Sequence, residues 1–204
     1  MGKSAPDFSF ERAALAQGFA SVCGIDEAGR GPWAGPVVAA AVILDPLAIP
    51  PGLDDSKKIS AARREALFEP ITKSSRIGIG ISDTQRIDRD NILAATLWAM
   101  SEAWQQLGGA DLALVDGNSA PKLACPVQTI IGGDAKSLSI AAASIIAKVT
   151  RDRLMAALDA AYPNYGFARH KGYGTAAHHA ALKRHGPCPQ HRMSFAPIAA
   201  LRPR

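Results

Sequence analysis

Four acidic residues stand where they could do chemistry: Asp26, Glu27, Asp116 and Asp134. The segments that carry them, GIDEAG, LVDG and IIGGD, end alike, with an apolar run delivering a carboxylate and a glycine beside it. Carboxylates clustered in a partly dry site repel one another unless protons or cations neutralise them. Hard oxygen donors suit Mg²⁺ or Mn²⁺, which keep several waters and also bind substrate phosphates. Two such ions about 3.5 to 4 Å apart can activate water and stabilise the leaving oxygen of a phosphodiester. A single acid of this kind is ordinarily a cap or turn residue. The set of four reads as a metal site.

One geometric objection applies. Adjacent residues on a regular strand point to opposite faces, so Asp26 and Glu27 converge only if the strand ends there, as Ala28-Gly29 suggests. Asp152, in AKVTRDRL, is a rival fourth ligand, but it lies inside a helix between Arg151 and Arg153, where an ion pair is the default. The GGDAKS loop gives Asp134 the better access.

A cationic, glycine-rich loop follows the first acids. Gly29 and Gly31 let backbone N–H groups approach a ligand closely, and Arg30 adds a permanent charge. Lys57 and Lys58 in DDSKK could track a phosphate backbone, whereas Arg63 and Arg64 read as a solvated helix face. Further on, ARHKGYGT sets Arg169, His170 and Lys171 around Tyr173, a cluster able to stack on sugars or bases while binding phosphates. His178, His179, His185 and His191 match no zinc spacing with Cys188. No G-x-S-x-G elbow supports a serine nucleophile.

These residues need elements to hold them. Ser21 to Asp26 and Pro36 to Leu44 read as strands joined by a sharply turning GRGPWAG, and Arg76 to Ser82 alternates as a third. With no long helix between the first two, an antiparallel meander is expected. A basic loop and a short helix from about Ser60 lie between strands two and three. RIDRDNILAATLWAMSEAWQQLGG reads as one helix with a buried face through Ile92, Ala95, Ala99 and Ala103, capped at Gly108. DLALVDG and CPVQTIIGGD read as strands ending at Asp116 and Asp134. SIAAASIIAKVTRDRLMAALDAAY is a core helix, then come the loop PNYGFARHKGYGT, the helix AAHHAALKRHG and an irregular tail. The sum is an α/β domain with a mixed sheet, extended by C-terminal helices.

Composition sets the outer bounds. The chain has 204 residues and 48% hydrophobic content, enough for a real core and too much for disorder. Lysine and arginine outnumber acids 23 to 18, a charge of +5 that favours a polyanionic partner. Three widely spaced cysteines imply no disulfide framework and point to a reducing cytosol. The first residues lack the apolar core of a signal peptide, and no run is long enough to span a bilayer. Gly2 after Met1 is weak evidence for acylation.

The ordered fragments GIDEAGRGPWAGPVV, DDSKKIS, LVDGN, GDAKSLSIAAASIIAKVTRDR, YGFARHKGYGT and HRMSF resemble the ribonuclease HII family from about Val22 to Pro197. The resemblance implies a ribonuclease H-like fold with a central five-stranded mixed sheet flanked by helices. It would be a single domain over 1–204, with the core at about 20–160 and a C-terminal helical extension at about 161–204. It implies an endonuclease dependent on Mg²⁺ or Mn²⁺, with two ions in the catalytic complex, and a monomer in the cytoplasm. The substrates implied are the RNA strand of RNA–DNA hybrids and single ribonucleotides in duplex DNA. Cleavage on the 5′ side, leaving a 3′-hydroxyl and a 5′-phosphate, would serve ribonucleotide and RNA-primer removal. By the resemblance the acidic ligands fall on Asp26, Glu27, Asp116 and Asp134, the glycine-arginine-glycine motif on Gly29, Arg30 and Gly31, and the junction-sensing tyrosine on Tyr173. Lys57 and Lys171 are carried as further nucleic-acid contacts. One departure stands out: Gly132 replaces a lysine common in relatives two positions before Asp134, which puts in doubt a phosphate contact from this strand end but not the metal site. A catalytically silent nucleic-acid-binding protein on the same fold is the alternative.

Overall fold

The computed structural model describes residues 5–201, and Gly2 lies outside them. Helix α1 (Ser9–Ala16) precedes strands β1 (Val22–Ala28) and β2 (Val37–Leu44). Then follow α2 (Ala61–Ser74), β3 (Ser75–Ser82), α3 (Thr84–Asp90) and α4 (Ile92–Gln106). Strands β4 (Leu112–Asp116) and β5 (Val127–Ile130) lead through a 3-10 turn, Gly133–Ala135, into the long α5 (Leu138–Ala161). The chain ends in α6 (Phe167–His170), α7 (Ala176–His185) and α8 (Ala196–Ala199).

The five strands form one mixed sheet in the order β3-β2-β1-β4-β5. β1, β2 and β3 make the expected antiparallel meander, while β4 pairs parallel to β1 and β5 parallel to β4. β2 is apolar throughout because helices cover both sheet faces. Ala40, Val42 and Leu44 pack beneath α5 and α2, whereas Ala39 and Ala41 join Cys23, Ile25, Ala113 and Val115 beneath α4. The period of two therefore sorts every residue of β1 to one helix layer or the other. That sorting decides where the acids go.

Several expectations change. The segment read as one helix from Arg86 is two, because Asn91 adopts φ 69° and its side chain accepts from the N–H groups of Leu93 and Ala94, capping α4 afresh. β5 stops at Ile130, four residues short of Asp134, and the 3-10 turn makes up the distance. α1 has no counterpart in the sequence reading, and Glu11 within it is buried. Its carboxylate accepts from the Ser137 hydroxyl and from Ser139 N–H (3.0 Å), securing the start of α5. Short helices also interrupt the expected loop and tail.

Candidate active site

Asp26 and Asp116 reach the same place from neighbouring parallel strands. Ile25 pairs with Val115 in register, so the next residue on each strand turns to the opposite face, the one under α5. Asp134 arrives on that face from the turn that feeds α5. The three carboxylates each offer an oxygen within 4.8 Å of the others. The turn is fixed to its neighbour, since Gly133 N–H donates to Asp116 Oδ1 at 2.7 Å.

Glu27 behaves differently. β1 continues through Ala28, and the regular pleat that opposed convergence prevails. Glu27 stands beside the cluster of three instead of within it, and lines both the main cleft and a second hollow with Asp116 and the α4 residues Leu93, Thr96 and Met100. Its Oε1 lies 3.5 Å from Arg30 Nη1.

The electrostatics call for positive charge. Asp26 is 3% exposed, and burial, Glu27 and Asp116 together hold its carboxyl well above the usual range. Burial also raises Glu27, with Arg30 opposing. Asp134 is raised by burial and pulled back by Lys57, whose ammonium lies 3.2 Å from Oδ2. Three hard oxygen donors, two of them on buried residues, fit a divalent cation such as Mg²⁺ or Mn²⁺.

The cluster faces a cleft of about 280 Å³. Its lining includes Gly29, Arg30 and Gly31, the cation Lys57, Tyr173 beside Gly31, and the acids Asp26, Glu27 and Asp116. Tyr173 is 47% exposed, so its ring is no core plug. Lys171 does not line the cleft. It takes a left-handed conformation, and its ammonium donates to the Asp152 carbonyl at 3.3 Å. Gly132 also has a left-handed φ of 64°, which a lysine side chain would strain. Asp152 pairs with Lys148 at 2.6 Å, the ion pair expected of it.

Sequence reasoning missed Lys148, Ser56, Ser144 and Arg151 as cleft residues. The helical spacing of Ser144, Lys148 and Arg151 was the available signal, since positions i, i+4 and i+7 share one face of α5. The histidines form a buried network. His170 stacks on His178 with centroids 4.4 Å apart, and His178 Nε2 meets His191 Nε2 at 3.0 Å.

A mixed five-stranded sheet that gathers carboxylates from β1, β4 and the turn after β5 beside basic residues defines a metal-assisted nuclease of the ribonuclease H-like fold. The Archaeoglobus fulgidus protein, solved as a PCNA:RNase HII complex, superposes with a TM-score of 0.73 at 29% identity, covering 86% of this chain and 95% of that one. Pyrococcus horikoshii ribonuclease H2 gives 0.71 at 26%, covering 89% and 96%. The family model for ribonuclease HII matches residues 23–198. Ribonuclease HII of Azorhizobium caulinodans is 61% identical over 194 residues, 95% of this chain and 75% of its own length. The chain belongs to the ribonuclease HII family and is an endoribonuclease.

Proposed function

We propose that the protein hydrolyses the RNA strand of RNA–DNA hybrids and cuts on the 5′ side of single ribonucleotides in duplex DNA, leaving a 3′-hydroxyl and a 5′-phosphate. The convergence of Asp26, Asp116 and Asp134 within 4.8 Å, with Asp26 and Asp116 lining a cleft shared with Arg30, Lys57 and Tyr173, carries this reading. Asp26, Asp116 and Asp134 would share a Mg²⁺ or Mn²⁺ ion, with Glu27 completing the acids about a second. Bound there, such ions supply Lewis acidity at the scissile phosphate and a water made nucleophilic near neutral pH.

The chain's own groups do the rest. The carboxylates fix where the reacting phosphate sits, and Gly133 N–H holds Asp116 in place. Arg30 and Lys57 neutralise the strand being cut, and the open ring of Tyr173 offers a stacking surface for the neighbouring sugar. The two serines that line the cleft, Ser56 and Ser144, are buried and hydrogen-bonded to each other at 2.6 Å, which supports attack by water. Catalysis by water avoids the ribose 2′-hydroxyl as nucleophile, so no cyclic phosphate forms. The protein acts as a cytoplasmic monomer in removing ribonucleotides and RNA primers. No described helix is long and apolar enough to cross a membrane. The core at about 20–160 and the extension at about 161–204 work as one domain, because the cleft takes Tyr173 from the extension.

An end-labelled DNA duplex carrying one ribonucleotide, incubated with Mg²⁺ and then with EDTA, tests the reading. The expected result is a 3′-hydroxyl fragment ending just before the ribonucleotide, lost in EDTA. Cyclic-phosphate ends or undiminished cutting in EDTA would overturn it, and binding without cutting would favour the silent binder.

A further inference from the structure

Two fully buried arginines have no carboxylate partner in salt-bridge reach among the described residues: Arg192, 0% exposed, and Arg151, 1% exposed. Burying a guanidinium without an opposite charge is costly, and burial pulls both groups down, to about 9 and about 10. Their hydrogen bonds show what the cost secures. Arg192 donates through Nη2 to the Gly29 carbonyl (2.6 Å), through Nη1 to the Arg30 carbonyl (2.8 Å) and through Nε to the Gly35 carbonyl (3.0 Å). Arg151 donates to the carbonyls of Pro36 (2.9 Å), Ala34 (3.2 Å) and Lys171 (3.1 Å). Every acceptor belongs to the glycine-rich loop after β1 or to the turn that carries Tyr173.

Resting on the function proposed above, we infer that Arg192 and Arg151 are positioning residues that lock the Gly29–Arg30–Gly31 loop and the Tyr173 turn into one ribonucleotide-reading unit. Peptide planarity supplies the mechanism. In a trans peptide the C=O and the following N–H point in opposite directions, and no peptide here is cis. With the Gly29 and Arg30 carbonyls drawn onto the Arg192 fork, the N–H groups of Arg30 and Gly31 turn away from it. Neither N–H has a hydrogen-bond partner among the described residues, and both residues line the cleft. Two successive outward N–H groups make a small electropositive concavity suited to a 2′-hydroxyl or a phosphate oxygen. Gly29 completes the fit: a Cβ there would fall 2.0 Å from Arg151 Nε, so the loop can lie on the guanidinium only without one.

Arg192→Gln, Arg192→Lys and Arg151→Lys test this beside the wild-type protein on two substrates, a single-ribonucleotide DNA duplex and an all-RNA hybrid. Lysine keeps charge but cannot span three carbonyls. A displaced loop should lower kcat/KM on the single-ribonucleotide duplex by roughly 100-fold in Arg192→Gln, the scale of a 1 Å misplacement. The two lysine variants should fall between, and loss on the hybrid should be several-fold smaller in all three. Mn²⁺ affinity, read by calorimetry, should stay within about twofold, because the carboxylates are mounted elsewhere. An unchanged ratio between substrates in a folded variant overturns the inference, as does Mn²⁺ affinity falling in step with activity. If Arg192→Gln does not fold, the lysine variants decide by the same ratio. A wild-type protein that cuts neither substrate overturns the functional reading itself.

Discussion

The Lys57 ammonium sits 3.2 Å from Asp134 Oδ2, where it supplies positive charge to the acidic cluster. Its side chain is 78% exposed, so the pair adds little to stability. Asp134 and Asp26 more than offset the burial that would otherwise lower the Lys57 pKa. A divalent ion at the acids must compete with that charge. Lys57→Ala should therefore bind Mn²⁺ a few-fold more tightly while binding the nucleic-acid duplex more weakly. Calorimetry with Mn²⁺ alone and fluorescence anisotropy with duplex alone separate the two. Weakening of both would mean that Lys57 shapes the site instead of balancing it.

Asp26 carries the opposite liability. Held protonation-prone by burial, Glu27 and Asp116, its charge destabilises the ion-free protein. Asp26→Asn removes that repulsion, so without divalent ions the variant should melt at a higher temperature. The rise in melting temperature that Mg²⁺ gives the wild type should vanish, along with turnover. A variant that melts lower without ions would show that Asp26 is held by hydrogen bonds worth more than the repulsion.

The imidazole network predicts an acid limit. Cys188 N–H donates to His191 Nδ1 at 2.9 Å, which puts the His191 proton on Nε2 and aims it at His178 Nε2. The remaining His178 proton lies on Nδ1 and donates to the Tyr173 carbonyl at 2.9 Å. Another proton on either ring would set two N–H groups head to head. Burial pulls His191 down to about 4 and also lowers His178, with His170 adding like-charge repulsion to both. The unfolded chain takes up its proton near 6.5, the folded one near 4, so stability is intact above 6.5 and is lost as pH falls between the two. The loss from His191 is on the order of 3 kcal/mol. His191→Gln, which keeps a donor without titrating, should flatten melting temperature against pH across that window. An equally steep curve would assign the acid loss to other groups.

Much of this was legible in the residues. The meander, the mixed sheet and the core helix followed from apolar runs and their punctuation. Asp116 sits at a strand end as its apolar approach predicted. Asp134 does not, because the IIGGD run looks like strand while the left-handed Gly132 breaks it. Asp26 and Glu27 obeyed the pleat over the weak stop signal of Ala28-Gly29. Lys171 resembled a phosphate contact by company, but its positive φ turns it toward Asp152. The buried roles of Glu11, Arg151 and Arg192 were hidden for a common reason. A charged side chain that satisfies distant hydroxyls or carbonyls leaves no periodic trace.

Tyr173 is the residue whose ring and backbone have separate duties. Its N–H donates to the His170 carbonyl at 2.9 Å, and its own carbonyl accepts from Thr175 N–H and His178, so the backbone is pinned on both sides. The ring is 47% exposed and borders the cleft beside Gly31, the nearest atom to a Cβ there being Tyr173 Cε1 at 3.6 Å. Such a ring contributes little to folding, and Tyr173→Ala should keep its melting temperature within about 2 °C. Only the 2′-hydroxyl separates a lone ribonucleotide from the DNA around it, so stacking on the neighbouring deoxyribose matters most where a single one must be found. A ring packed on a sugar gains at most what base–aromatic stacking does, about 1 to 3 kcal/mol, so the loss for Tyr173→Ala should be at most roughly 100-fold on the single-ribonucleotide duplex. The all-RNA hybrid, with a 2′-hydroxyl at every register, should lose several-fold less. Tyr173→Phe keeps the ring and should lie between wild type and Tyr173→Ala on the first substrate. Equal losses on both substrates, with a clearly lower melting temperature, would instead make Tyr173 a packing residue of its turn.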